Sequence, residues 1–188
     1  MNIFPVVTIV DFEVHLLMTM KLRIRMSHQE AQVEAKLAEQ NLSIDAADRI
    51  HERVAEGLGD DEASYFENMK KMLGIADQDA TSVQYKSVLW PGFNFNATAS
   101  EVGLLESAQY WHTTRDSSRA DSPIGVPIWS MDVAEFTEQF GPVSGGRKWA
   151  LFDKLLPAYE EYEFQWVGES YGAGFSWGLF MFTAMSWD

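Results

Sequence analysis

From Phe4 to Met26 every even-numbered position is apolar or a threonine: Phe4, Val6, Thr8, Val10, Phe12, Val14, Leu16, Met18, Met20, Leu22, Ile24 and Met26. The odd positions include Asp11, Glu13, His15, Lys21, Arg23 and Arg25. Side chains alternate faces along an extended chain, so a period of two predicts β-structure with one face buried. A single strand of this extent would be several times the usual length of about five or six residues. A bend, a bulge or two consecutive strands is therefore expected. Lys21, Arg23 and Arg25 would then share an exposed face or guard a sheet edge with charge.

Beyond this region the pattern turns helical. Ser27 and Glu30 have the spacing of a capping box, which predicts a helix running to about Leu42 with Val33 and Leu37 on one side. Ile44, Ala47, Ile50, Val54 and Leu58 form the apolar stripe of a second helix, ended by Gly57 and Gly59. A third opens with Asp60, Asp61 and Glu62 and closes with Lys70, Lys71 and Gly74, charges that suit both ends of the helix dipole.

Ser82–Trp90 and Phe93–Thr98 flank Pro91-Gly92, the signature of a hairpin. Ser100–His112 fits a further helix, with Val102, Leu105 and Ala108 inward. Residues 113–127 are polar and rich in turn formers. Ser130 precedes a short helix carrying Val133, Phe136 and Phe140, stopped by Gly141-Pro142, and Trp149–Leu156 fits another ended by Pro157. The tail predicts a second hairpin. Tyr162, Phe164 and Trp166 alternate before Gly168, and after Gly172–Gly174 a strand runs from Phe175 to Trp187 with aromatics on both faces. A helix over Leu179–Trp187 competes with that strand. The expected fold is α+β: a mainly antiparallel sheet, made of the N-terminal strand region plus two hairpins, with several helices packed against it. At 188 residues, with no repeat or linker, the chain is expected to form a single domain over 1–188.

The chain has 28 acidic against 14 basic residues and no cysteine. Lack of cysteine excludes disulfides, thiolate zinc sites and cysteine nucleophiles. A formal net charge of −14 should repel bare nucleic acid and anionic membranes and attract basic protein surfaces. No stretch reaches the roughly 18 apolar residues of a membrane span. Ile3–Val10 lacks the basic flank and cleavage site of a signal peptide. A cytoplasmic location follows as the expectation. The sequons at Asn41 and Asn96 carry no meaning without secretion.

Few residues gather into a chemical motif. Gly141–Lys148 imitates a phosphate-binding loop, but Arg147 intrudes, Trp149 replaces the required hydroxyl, and no strand leads in. His15, His28, His51 and His112 include no pair at zinc-helix spacing, and no cofactor or metal is expected. The best polar loop is His112 with Arg115, Asp116 and Arg119, followed by Asp121. A histidine, a carboxylate and two arginines could perform acid–base chemistry on an anionic substrate, although locally paired surface charges give the same pattern.

The broadest signal is acidic. Asp45, Asp48, Glu52 and Glu56 fall within about a quarter turn of one helix face, advancing about 100° per residue. Glu160, Glu161 and Glu163, beside Trp166, add a second cluster. A carboxylate row one turn apart can imitate a phosphate backbone. Arg49 and Arg53 flank it, and pairing of Asp45 with Arg49 would make it an ordinary solvated face. Seven tryptophans provide core or interface anchors.

The expected function is thus an acidic inhibitor that occupies a basic, nucleic-acid-binding type of surface on a partner protein, as an anti-defence or toxin-immunity protein would. No direct nucleic acid or membrane partner is expected. A structural subunit of a virion or other assembly, with self-association, and an enzyme built on His112, Arg115 and Arg119 are the alternatives.

Overall fold

The N-terminal alternation does not make a strand. In the computed structural model, which describes residues 7–114 and 120–185, helix α1 spans Ile9–Thr19 and helix α2 spans Lys21–Met26. Thr8 caps α1 by accepting a hydrogen bond from the Asp11 backbone N–H at 3.1 Å. Every residue from Phe12 to Met18 is buried, Glu13 and His15 included. A helix covered on all sides needs no apolar stripe. Its polar residues are buried functional groups rather than a wet face, so the period of two carried no information about β-structure. Lys21, Arg23 and Arg25 accordingly form no sheet edge: Lys21 reaches Asp48 and Arg23 reaches Tyr159 and Glu161.

Helices α3 (Glu30–Ala38), α4 (Ile44–Leu58) and α5 (Glu62–Met72) follow near their expected positions. Ser27 does not cap α3. Its hydroxyl donates to the carbonyls of Arg23 and Ile24, and Gln29 occupies the cap position without a side-chain bond to the helix N-terminus. Ser43 and Asp61 cap α4 and α5 through the backbone N–H groups of Ala46 and Ala63.

Two antiparallel three-stranded sheets complete the α+β fold. The first contains β1 (Ser82–Lys86), β2 (Phe93–Ala99) and β3 (Leu105–His112) in that order. β1 stops four residues short of Trp90 because the backbone N–H groups of Val88 and Leu89 turn to Glu13. The expected helix over Ser100–His112 is a turn followed by β3. Gly103 takes a left-handed φ of 84° there. Val102, Leu105 and Ala108 share a helical spacing, but burial follows Ala108 and Tyr110, two apart.

The second sheet contains β4 (Tyr159–Trp166), β5 (Glu169–Ser176) and β6 (Leu179–Met185), with α6 (Val133–Phe140) against it. Asp132 rather than Ser130 caps α6, in a reciprocal capping box with Glu135. The expected helix over Trp149–Leu156 is irregular: Asp153 accepts from the N–H groups of Leu155 and Leu156, and Ala158 returns to bond the Ala150 carbonyl. The tail is three strands rather than a hairpin, because the strand expected from Phe175 onward is divided between the end of β5 and β6. Trp177 and Gly178 both have positive φ, 50° and 79°, and so do Val167 and Gly168, at the same values. These are two-residue hairpin turns matched to strand twist. Gly172 and Gly174 lie inside β5, not in a turn.

Phe12 of α1 packs its ring against Tyr85 and Phe95 of the first sheet at 6.3 and 5.8 Å. Phe136 of α6 packs against Phe164, Phe175 and Phe180 of the second at 5.1–5.6 Å. The sheets meet where Tyr110 N–H donates to the Trp177 carbonyl at 2.7 Å. Among the described residues no helix is long and apolar enough to cross a membrane.

Candidate functional site

α4 buries Ala47, Val54 and Leu58 and leaves Asp45, Glu52 and Glu56 exposed. Asp48 is half-buried and lies 3.4 Å from Lys21 Nζ. The arginines of the helix do not neutralise the row. Arg53 pairs with Asp11 of α1 at 2.8 Å. Asp45 and Arg49 form no salt bridge, and neither do Glu52 and Glu56 with any described residue. Three carboxylates of the row therefore face solvent without a salt-bridge partner among the described residues.

The second acidic group is divided by the strand that carries it. Glu160 accepts from Tyr162 Oη at 2.8 Å and lies 3.9 Å from Lys148. Glu161 points to the opposite face, paired with Arg23 Nη2 at 3.0 Å and accepting from Tyr159 Oη at 3.1 Å. Glu163 shares that face and is exposed. Trp166 is half-buried, its ring 5.5 Å from Phe140. β4 packs on β5, and α4 packs on α1, α3 and α5; α2 reaches both acidic groups, with Lys21 on Asp48 and Arg23 on Glu161.

His112 ends β3. Arg115, Asp116 and Arg119 lie outside the described residues. The carboxylate beside its ring comes from α6: His112 Nδ1 and Glu135 Oε1 are 2.5 Å apart. Asp132 accepts from the His112 backbone N–H at 2.8 Å and caps the helix that carries Glu135. The imidazole stacks on Phe93 at 4.4 Å, with 10° between the planes. A carboxylate on Nδ1 fixes the orientation and tautomer of the ring, the arrangement used in acid–base catalysis.

The polar groups of α1 escaped the sequence reading. Glu13 is fully buried. Its oxygens accept from Ser87 Oγ at 2.5 Å, Tyr110 Oη at 2.7 Å, and the N–H groups of Val88 and Leu89 at 2.6 and 3.2 Å. Tyr85 Oη lies 3.0 Å from Tyr110 Oη. Burial pushes both phenols well up, and the nearby Glu13 adds to the effect. His15 stacks on His51 of α4 at 4.8 Å, and the Nδ1 of each ring is buried without a hydrogen bond. Burial first, and then the neighbouring His51, lower the His15 pKa to about 3; burial also lowers that of His51. The available signal was a carboxylate and an imidazole inside an otherwise apolar run.

No protein-family model, no curated protein and no solved structure matches this chain. Among the described residues no group of three or more histidine, aspartate or glutamate side chains is placed to hold a metal ion.

Proposed function

We propose that this protein binds a basic surface of a partner protein through the exposed face of α4. The supporting observation is that Asp45, Glu52 and Glu56 of the row keep their charge available, because Arg53 is drawn away to Asp11, while Asp48 lies against Lys21. A net charge of −14 extends the attraction beyond contact distance. Complementary charge of this kind accelerates encounter and fixes orientation. Carboxylates one helical turn apart suit a groove that otherwise receives a phosphate backbone, so an anti-defence or toxin-immunity inhibitor is the form of binding protein favoured here.

A photo-crosslinking residue at Glu56 in the native cell is the direct test. It should trap a partner rich in lysine and arginine. The association rate should fall with added salt, and by about tenfold or more when the four acids are changed together to Asn and Gln. Salt-insensitive association, or unchanged binding by the quadruple variant, would refute the proposal.

The His112–Glu135 contact favours a second reading, an acid–base site at the end of β3. In this reading His112→Gln abolishes a turnover that wild-type protein shows, and Glu135→Gln shifts its pH profile. Turnover unchanged in His112→Gln removes the imidazole from the chemistry.

A further inference from the structure

The second sheet has two faces. One packs on the phenylalanines of α6; the other is covered at Tyr159 and Gly174 by Arg23 and Phe182 and is open beyond them. On this second face Glu161, Gly174 and Phe182 form one cross-strand row, and Glu163, Gly172 and Ala184 form the next. These rows floor a cleft of about 590 Å³, also lined by Arg23 and Arg147. Small-molecule sites span roughly 300–1,000 Å³.

The glycines at this cleft differ in what requires them. A Cβ on Gly146 would overlap the Glu161 carbonyl, and one on Gly174 would collide with Tyr159 Oη and Phe182. Both positions must be glycine for the protein to close on itself. Gly172 has no such reason. Its φ is ordinary, and the nearest atoms to a Cβ there lie 3.9 Å away. Glycine inside a strand costs about 0.5–1 kcal/mol relative to alanine, and it often marks a place where something approaches the backbone closely.

The charges around the cleft are divided in the same way. Arg23 is satisfied internally: Nε donates to Tyr159 Oη at 2.8 Å, Nη2 pairs with Glu161, and the guanidinium sits 4.5 Å over the Phe182 ring. Arg147 and Glu163 are exposed, and neither forms a salt bridge with any described residue. Two opposite charges line one cleft, do not meet, and have a bare backbone position beside them.

We propose that this cleft binds a small zwitterion of the amino-acid type. Its carboxylate meets Arg147, its ammonium meets Glu163, and its carbon chain lies over Gly172. A simple anion gains Arg147 but faces Glu163 on a protein of net charge −14. A simple cation gains Glu163 but faces Arg147. Only a ligand with both charges satisfies the two groups. The inference is independent of docking through α4.

The test is calorimetric titration with ω-amino acids of increasing length, from β-alanine to aminooctanoate, with hexanoate and hexylamine as single-charge probes. One chain length should bind best. The single-charge probes should bind about two- to fivefold more weakly, as should that zwitterion to Arg147→Gln or Glu163→Gln, the scale of one exposed ion pair. Gly172→Leu fills the cleft with space for its Cβ and should abolish binding. The exposed Arg147 and Glu163 variants keep the test decisive if Gly172→Leu fails to fold. Binding of every zwitterion weaker than about 10 mM, equal binding of hexanoate or hexylamine, or unchanged binding by folded Gly172→Leu would overturn the proposal.

Discussion

The helical layer around α1 and the second sheet with α6 are held together by different physics. Around α1 the core encloses a carboxylate, an imidazole and a lysine, with the half-buried His51 stacked on that imidazole. Glu13 accepts four hydrogen bonds from the connection after β1 and from β3. Lys70, almost fully buried, donates to the carbonyls of Gln78 and Ala80 at 2.5 and 3.1 Å and pairs with Glu67 at 2.7 Å. The α6 side instead gathers Phe136, Phe140, Phe164, Phe175 and Phe180 into an aromatic cluster. Directional bonds specify one arrangement and fail sharply when a partner is lost. Aromatic packing loses stability in proportion to the volume removed and ignores protons. One side of the molecule is therefore specified by hydrogen bonds, the other by shape.

The largest effect should come from Glu13→Ala. It removes the acceptor shared by two hydroxyls and two backbone N–H groups, of which Tyr110 keeps Tyr85 as a partner, at about 1–3 kcal/mol for each buried group left unpaired. A loss of at least about 4 kcal/mol is expected in urea unfolding, a large share of the roughly 5–15 kcal/mol that holds a domain together. A loss below about 1.5 kcal/mol would show that the network contributes little and would break the contrast.

Phe136→Ala should cost about 3–5 kcal/mol through the cavity it leaves. The loss should be the same at neutral and mildly acidic pH. A pH-dependent loss would mean that the aromatic side is coupled to titrating groups after all.

His15 sharpens the contrast by acid. Its unfolded imidazole takes up a proton near the ordinary value of 6.5, whereas burial holds the folded ring to about 3. Between those values the unfolded state binds more protons, so stability is complete above 6.5 and declines as pH falls toward 3. The slope attributable to this group is at most about 1.4 kcal/mol per pH unit. His15→Leu should flatten that part of the stability–pH curve, measured by urea unfolding from neutral to mildly acidic buffer. An unchanged slope would place the sensitivity elsewhere.

Legibility in the sequence follows the same division between local and distant causes. α4 and α5 were readable because a stripe at 3.6-residue spacing and capping residues are written within a dozen positions. The turn at Pro91-Gly92 was equally local. α1 was unreadable because a helix buried on every side needs no stripe. β3 was misread because Val102, Leu105 and Ala108 satisfy a helical spacing by coincidence, and Tyr110 declares its role only by meeting Glu13. The acid row on α4 was visible, but its freedom depends on Arg53 finding Asp11, 42 residues away. The carboxylate on His112 comes from Glu135, 23 residues on, and no local pattern announces it.

The contact of Trp177 Nε1 with Thr19 Oγ1 at 2.9 Å joins the turn between β5 and β6 to the end of α1, 158 positions apart. Ribosomes add about 5–20 residues per second, so α1 emerges roughly ten to thirty seconds before the hairpin that fastens it. In that interval α4 and the first sheet can already cover most of α1, but its end at Thr19 still lacks its partner. The order of synthesis thus leaves the Thr19 end of α1 the last part of that helix to be fastened, and the turn at Trp177, whose strand contacts are local and quick to form, is what closes it.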